Sequence, residues 1–223
     1  MLKILAIETS GKACGAAVLE DGRLICEIYL NDSFTHSKKL MPMVEQCLMN
    51  AGCGIEEIDV FAVTTGPGSF TGLRIGICAV KGMAQAYNKP VCGISSLETL
   101  AKAAGAKNVM ALIDARNDNA YAAYFEDGKC ICEKAAHIDE LLQEFPLAEE
   151  TLFLGDGAEV LREKIREKFP NAAFGGAMFA YPRAGVTAQI AYEKAMKNEL
   201  TSLYELEANY MRPSQAERMK NGI

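Results

Sequence analysis

Hydrophobic positions follow two rhythms along this chain. Short continuous apolar runs, KILAIE and NVMALID, have the length of strands and each closes on an acid. A polar turn and a second run follow each of them, ACGAAVL in one case and AYAAYFE in the other. Glu20-Asp21-Gly22 and Glu126-Asp127-Gly128 then read as turns, with glycine supplying the positive φ. Between these meanders lie longer stretches with helical spacing. From His36 to about Ala51, the residues Leu40, Val44, Cys47, Leu48 and Ala51 share one face, with Met41 and Met43 off that face beside Pro42 in the first turn. From Thr71 to about Tyr87 nearly every residue is apolar or small. Arg74, Lys81 and Gln85 form one narrow polar stripe there, so this helix needs cover on more than one side.

The two meanders are copies. Shifted by 106 positions, residues 4–27 align with 110–133 without a gap, with nine identities in 24 positions. Glu8 then meets Asp114, and Arg23 meets Lys129. The parallel continues: IDVFAVTTGPG ends in Gly66-x-Gly68 before a helix, and TLFLGDG ends in Gly155-x-Gly157 before the helix AEVLREKIREKF. A duplicated unit is the reading that fits an ungapped match of this length. It predicts two similar α/β domains about a pseudo-two-fold with a cleft between them, residues 1–95 and 96–223, the last segment packing back on the first domain. The boundary falls near GISSLETLA.

Composition narrows the class. At 223 residues and 50% hydrophobic content the chain can bury proper cores. No apolar run approaches the ~18 residues of a membrane span, and the N-terminus is too short and too interrupted for a signal peptide, so a cytoplasmic protein is expected. The net charge is −6, and the densest basic stretch, LREKIREKF, alternates with glutamate. Direct binding of nucleic acid is therefore not expected. None of the eight cysteines forms a CxxC pair; they read as reduced, small hydrophobic residues. Cys130 and Cys132 flank one residue, which on a regular strand puts them on one face, yet two further zinc ligands are missing nearby.

TTGPGSFTGLRIG, Thr64 to Gly76, looks at first like a phosphate cradle. The Rossmann fingerprint fails on spacing and on the missing acid, and the P-loop fails for want of Gly-Lys. The bland reading, a tight strand-to-helix turn, is preferred. Gly72, Gly76, Ala79, Met83 and Ala86 recur at helical spacing, a smooth strip over which another helix can pack; close packing then offsets interior glycines that cost roughly 1 kcal/mol each. Ser69 does not sit in Gly-x-Ser-x-Gly and has no histidine near in sequence, so nucleophilic catalysis is not indicated unless the fold brings a histidine to it. Arg116 stands two residues beyond Asp114 and is read as its structural ion-pair partner.

A duplicated domain opening with a β-meander and an acid at the first strand's end resembles the sugar kinase/Hsp70/actin (ASKHA) superfamily. The resemblance implies a cleft in which Glu8, Ser10, Gly66, Gly68 and Asp114 mark a vestigial nucleotide site. ILAIETS, HSKKLMPMV, TGPGSFTGLRIG and LIDARNDNAYAAYF are more narrowly similar to the TsaB family, also called YeaZ. LEANYMRP matches that family's Pro-x-Tyr-Leu-Arg signature more loosely, with Ala208 and Met211 in place of proline and leucine. The resemblance implies a subunit of the bacterial machinery that places threonylcarbamoyl on adenosine 37 of transfer RNA. Its partners would be the catalytic paralogue TsaD, the ATPase TsaE, or a second copy of this chain, with transfer RNA held only through the complex. The paralogue's His-x-x-x-His metal pair falls on Ser96 and Leu100 here, so no metal site is expected. No cofactor is expected either, apart from a nucleotide in the cleft or at the partner interface. The helix pair implies an interface of Leu40, Met41, Val44, Leu48, Gly72, Gly76, Ala79 and Met83. The competing class is a stand-alone enzyme, a small kinase using Glu8 and Asp114 or a relic metallopeptidase.

Overall fold

The computed structural model describes residues 1–32 and 35–211. The chain divides into two compact units, Met1–Thr99 with Pro182–Ala208, and a second built on Leu100–Tyr181. The first unit thus takes back a C-terminal segment of 27 residues, and the division lies a few residues beyond position 95.

In the first unit, β1 (Lys3–Glu8), β2 (Cys14–Glu20) and β3 (Arg23–Leu30) form the antiparallel meander. Helix α1 (His36–Ala51), β4 (Val60–Gly66), α2 (Phe70–Tyr87) and β5 (Val91–Ser95) follow. The sheet order is β3-β2-β1-β4-β5, with β1, β4 and β5 parallel. Helix α3 (Ser96–Ala104) leads into the second unit. There β6 (Asn108–Asp114), β7 (Asn119–Glu126) and β8 (Lys129–His137) repeat the meander. They are followed by α4 (Ile138–Glu144), β9 (Leu152–Leu154), α5 (Asp156–Val160), α6 (Arg162–Lys168) and β10 (Ala173–Phe174). The order β8-β7-β6-β9-β10 reproduces that of the first sheet. The single helix expected after Gly157 is broken at Leu161 into α5 and α6.

The repeat is exact in one hairpin and slipped in the other. Each β2–β3 pair has its counterpart in β7–β8 at the same shift, down to a bulge at Val18/Leu19 and another at Tyr124/Phe125. In the first hairpin, Glu8 pairs with Gly15, but Tyr121, the counterpart of Gly15, pairs with Ile113; Asp114 pairs with Ala120. The loop between β6 and β7 is one residue shorter than that between β1 and β2. Glu8 and Asp114 are therefore not equivalent. Because side chains alternate, one residue of slip puts them on opposite faces of corresponding sheets. The bulge also separates Cys130 from Cys132: Cys132 pairs with Tyr124 and Cys130 with the adjacent Phe125, on the other face. A two-cysteine metal site is not formed there.

One face of the first sheet lies under α1 and α2, where Leu5, Ile7, Val18, Phe61 and Val63 meet Leu40, Val44, Ile77 and Val80. The other is covered by α7 (Ala184–Met196), whose Ala188, Ile190 and Ala191 pack on Ile4, Ala6, Ala62 and Ile94. Cover on both faces explains why β1 is apolar without alternation. Burial pushes the thiols of Cys14 and Cys92 up to about 11 and that of Cys47 up to about 12, so these cysteines are neutral core residues. Pro42 is not in the first turn of α1. It lies inside the helix on the exposed side, and its missing N–H deprives the Lys38 carbonyl of its helical donor.

Candidate functional site

The turn after β1 organises this part of the first unit. Glu8 is 1% exposed, and its Oε1 accepts from the amide of Ser10 at 2.5 Å and from the Ser10 hydroxyl at 2.6 Å. Its Oε2 is buried without a hydrogen-bond partner among the described residues, as are Thr64 Oγ1 and Ser96 Oγ. Burial pushes the Glu8 pKa up; Ser10, the Thr9 amide and the nearby Thr64 hydroxyl, which is too poorly placed for a full hydrogen bond, pull it back only in part. The carboxyl is thus turned into its own turn, with Oε1 held by Ser10 and the side chain almost wholly buried.

Gly68, Gly72 and Gly76 of the Gly-rich stretch face this same turn. The Gly66–Pro67 peptide is cis, and Gly66 and Gly68 have φ of 118° and 157°, conformations that L side chains rarely adopt. A Cβ on Gly68 would overlap the Ser10 carbonyl oxygen. Ser69 caps α2 by accepting the Gly72 amide at 3.2 Å. A Cβ on Gly72 would overlap the Thr9 carbonyl; one on Gly76 would overlap the Thr9 hydroxyl and stand 3.2 Å from Val63 Cγ2. Gly72 and Gly76 are therefore buried against their own sheet and are not part of an outward strip. The smoothness lets α2 approach β1 and β4.

The other expected interface residues divide in the same way. Leu40, Val44 and Leu48 of α1 and Met83 of α2 are buried in the unit's own core. Met43, expected off the apolar face, is buried with them. Met41 is 47% exposed, and Ala79 is half-buried. The apolar and small residues that α1 and α2 leave at the surface are Met41, Pro42 and Met49 on one helix and Ile75, Cys78, Ala79, Gly82 and Ala86 on the other, alongside polar residues that include Lys38, Glu45, Gln46, Arg74 and Gln85. Nothing lies within 4 Å of a Cβ built on Gly82. Beside this surface, a cavity of ≈ 280 Å³ opens at the first turns of the two helices, lined by His36, Ser37, Ser69, Thr71 and Ile75 among others. His36 donates from Nε2 to the Gly11 carbonyl at 2.9 Å, a contact that no pattern in the letters announces.

In the second unit, Asp114 sits at the end of β6. It accepts the Arg116 amide at 2.8 Å, and its own amide donates to Asp156 Oδ1 at 3.0 Å. Arg116 has a φ of 65° in a turn, so it meets Asp114 through its backbone and not, as expected, as a strand neighbour in an ion pair. Ser96 and Leu100 are both buried, and among the described residues no three His, Cys, Asp or Glu side chains gather into a metal-binding group. No helix among them is long and apolar enough to cross a membrane. Leu206 and Ala208, from the C-terminal motif, pack into the core of the first unit; Arg212 and Pro213 lie outside the described residues.

Comparison with known proteins agrees with this architecture. The family model described as TsaD, tRNA N6-adenosine threonylcarbamoyltransferase, matches residues 31–219. The TsaB tRNA threonylcarbamoyladenosine biosynthesis protein of Haemophilus influenzae is 29% identical over 95% of this chain and 94% of its own length. That of Escherichia coli is 38% identical over 56% of this chain and 55% of its own. Among solved structures, YeaZ from Pseudomonas aeruginosa superposes with a TM-score of 0.81 at 29% identity, covering 94% of this chain and all of that one. With its two sheets of matching strand order the fold is of the ASKHA type, and the chain belongs to the TsaD-type family and, within it, to the TsaB (YeaZ) group.

Proposed function

We propose that this chain is a non-catalytic scaffold or activating subunit for threonylcarbamoyl transfer to adenosine 37 of transfer RNA. It acts in transfer-RNA threonylcarbamoyladenosine biosynthesis, as its relatives are named to do. It binds the catalytic TsaD-type paralogue through the outer faces of α1 and α2, and through that paralogue the ATPase TsaE. When the paralogue is absent, a second copy of the chain takes its place. Transfer RNA is held by the assembly, since a chain of net charge −6 offers phosphates no net positive charge.

The observation that carries the reading is a contrast within one unit. The acid that active ASKHA proteins would turn to a ligand is sealed and hydrogen-bonded to its own turn. Meanwhile two adjacent helices leave methionines and small apolar residues in water. A face of adaptable methionines beside small residues suits close packing of a partner's helices.

Gly82→Arg and Met41→Asp test it. Both positions are exposed, so both variants should stay folded, Gly82→Arg melting up to about 4 °C above the wild type through gained helix propensity and Met41→Asp within a few degrees of it. Each would place a charge in the contact, and an unpaired desolvated charge costs several kcal/mol; every ~1.4 kcal/mol is tenfold in affinity. Sedimentation of each variant, alone and with the TsaD-type subunit of the same organism, should show assembly lost. Wild-type assembly by both variants would place the interface elsewhere.

A further inference from the structure

We infer that Glu8 is a positioning residue for the docking face, fixing the starts of α1 and α2 through the turn Thr9–Gly11. The inference rests on the reading of the α1/α2 face given above. Its basis is a set of contacts in which each residue of the turn holds one helix start. Thr9 donates its hydroxyl to the Gly72 carbonyl in the first turn of α2 at 2.8 Å. The Ser10 carbonyl accepts the amide of Ser69, the α2 cap, at 2.7 Å. The Gly11 carbonyl accepts Nε2–H of His36, the first residue of α1, at 2.9 Å. Glu8 Oε1 anchors the turn from inside, through the amide and hydroxyl of Ser10.

The cost of Glu8 argues in the same direction. Its carboxyl is fully buried, and one oxygen has no hydrogen-bond partner among the described residues. An apolar side chain of similar volume would fill that place without the desolvation penalty. What it could not do is hold Ser10, and with Ser10 the geometry of two helix starts 25 and 59 positions further along the chain.

The experiment compares Glu8→Met, which keeps length and removes the acceptor, with Glu8→Gln, which restores an oxygen. The chain has two histidines, so ring-nitrogen NMR reports His36 separately; His137, which caps α4 in the second unit, is the internal reference. Association with the TsaD-type subunit is titrated in parallel. Glu8→Met should move the His36 ring nitrogens toward a solvated imidazole, leave His137 in place and weaken association about tenfold. Glu8→Gln should return the His36 signal and bring affinity within about twofold of wild type.

Unchanged His36 resonances and affinity in a folded Glu8→Met protein would overturn the inference. So would a Glu8→Gln protein as impaired as Glu8→Met. Should Glu8→Met not fold, Ser10→Ala replaces it, removing one of the two anchoring donors. The same His36 shift with about threefold weaker binding supports the inference, and no change in either overturns it. Gly82→Arg run alongside separates the two claims. If it binds as wild type, the docking face is wrong, while the His36 signal still decides whether Glu8 positions the helices.

Discussion

Two glycines on α2 should answer to the same substitution with opposite signs. At Gly82 an added Cβ meets nothing within 4 Å, so Gly82→Ala gains helix propensity alone and should stabilise by about 0.5–1 kcal/mol. At Gly76 the new methyl would overlap Thr9 Oγ1 and lie 3.2 Å from Val63 Cγ2 and 3.5 Å from Ile7 Cγ2. Thr9 is fully buried, and its hydroxyl is already committed to the Gly72 carbonyl at 2.8 Å. Making room breaks that bond and leaves a buried hydroxyl unsatisfied, about 1–3 kcal/mol. Overpacking adds about 1–3 kcal/mol. Less the propensity gain, Gly76→Ala should destabilise by about 1–5 kcal/mol, or about 2–4 °C in Tm for each kcal/mol in a chain of this size. Gly76→Arg should not fold at all. Urea and thermal melts of the two alanine variants make the comparison. In a Thr9→Ala background the Gly76→Ala penalty should shrink by at least about 1 kcal/mol, because the overlapping atom is gone. A Gly76→Ala protein as stable as Gly82→Ala would refute the inward placement of this helix face.

Further outcomes follow from the same contacts. Because burial raises the Glu8 pKa, the folded state holds its proton more tightly than the unfolded chain. Stability therefore falls as pH rises above the unfolded value near ~4.3, by up to about 1.4 kcal/mol per unit until the folded pKa is passed. Glu8→Gln should flatten that slope in melts run from pH 4.5 to 8, and an unaltered slope would assign it to other groups. Glu27 pairs with Arg183 at 2.8 Å and also accepts the Gly185 amide at 3.0 Å, tying the start of α7 to β3. Glu27→Ala should cost about 2 kcal/mol, with faster hydrogen exchange in α7, and an exchange pattern like the wild type's would mean that apolar packing alone holds the helix.

Much of the architecture was legible because it is local. The Glu-Asp-Gly turns, the strand-length apolar runs and the spans of α1 and α2 all follow from short-range chemistry, and the structure has them nearly where the sequence puts them. The duplication was legible too, and the letters even marked where it holds. Eight of the nine identities lie in residues 16–27 and their counterparts, the hairpin whose pairing and bulge repeat exactly.

Other features were decided only when distant parts met. A helix small or apolar nearly all round carries no sign of its inward face, so the glycines of α2 read equally well as an outward strip. Placing the helix on β1 and β4 turned Gly72 and Gly76 inward and left Cys78 and Gly82 outside. A one-residue difference in loop length, invisible in an ungapped comparison, moved Asp114 to the other face from Glu8. A bulge did the same to Cys130 and Cys132, because in a strand of period two any single-residue offset reverses every side chain beyond it. The sequence determined which elements form; burial and register determined which residues those elements show to water.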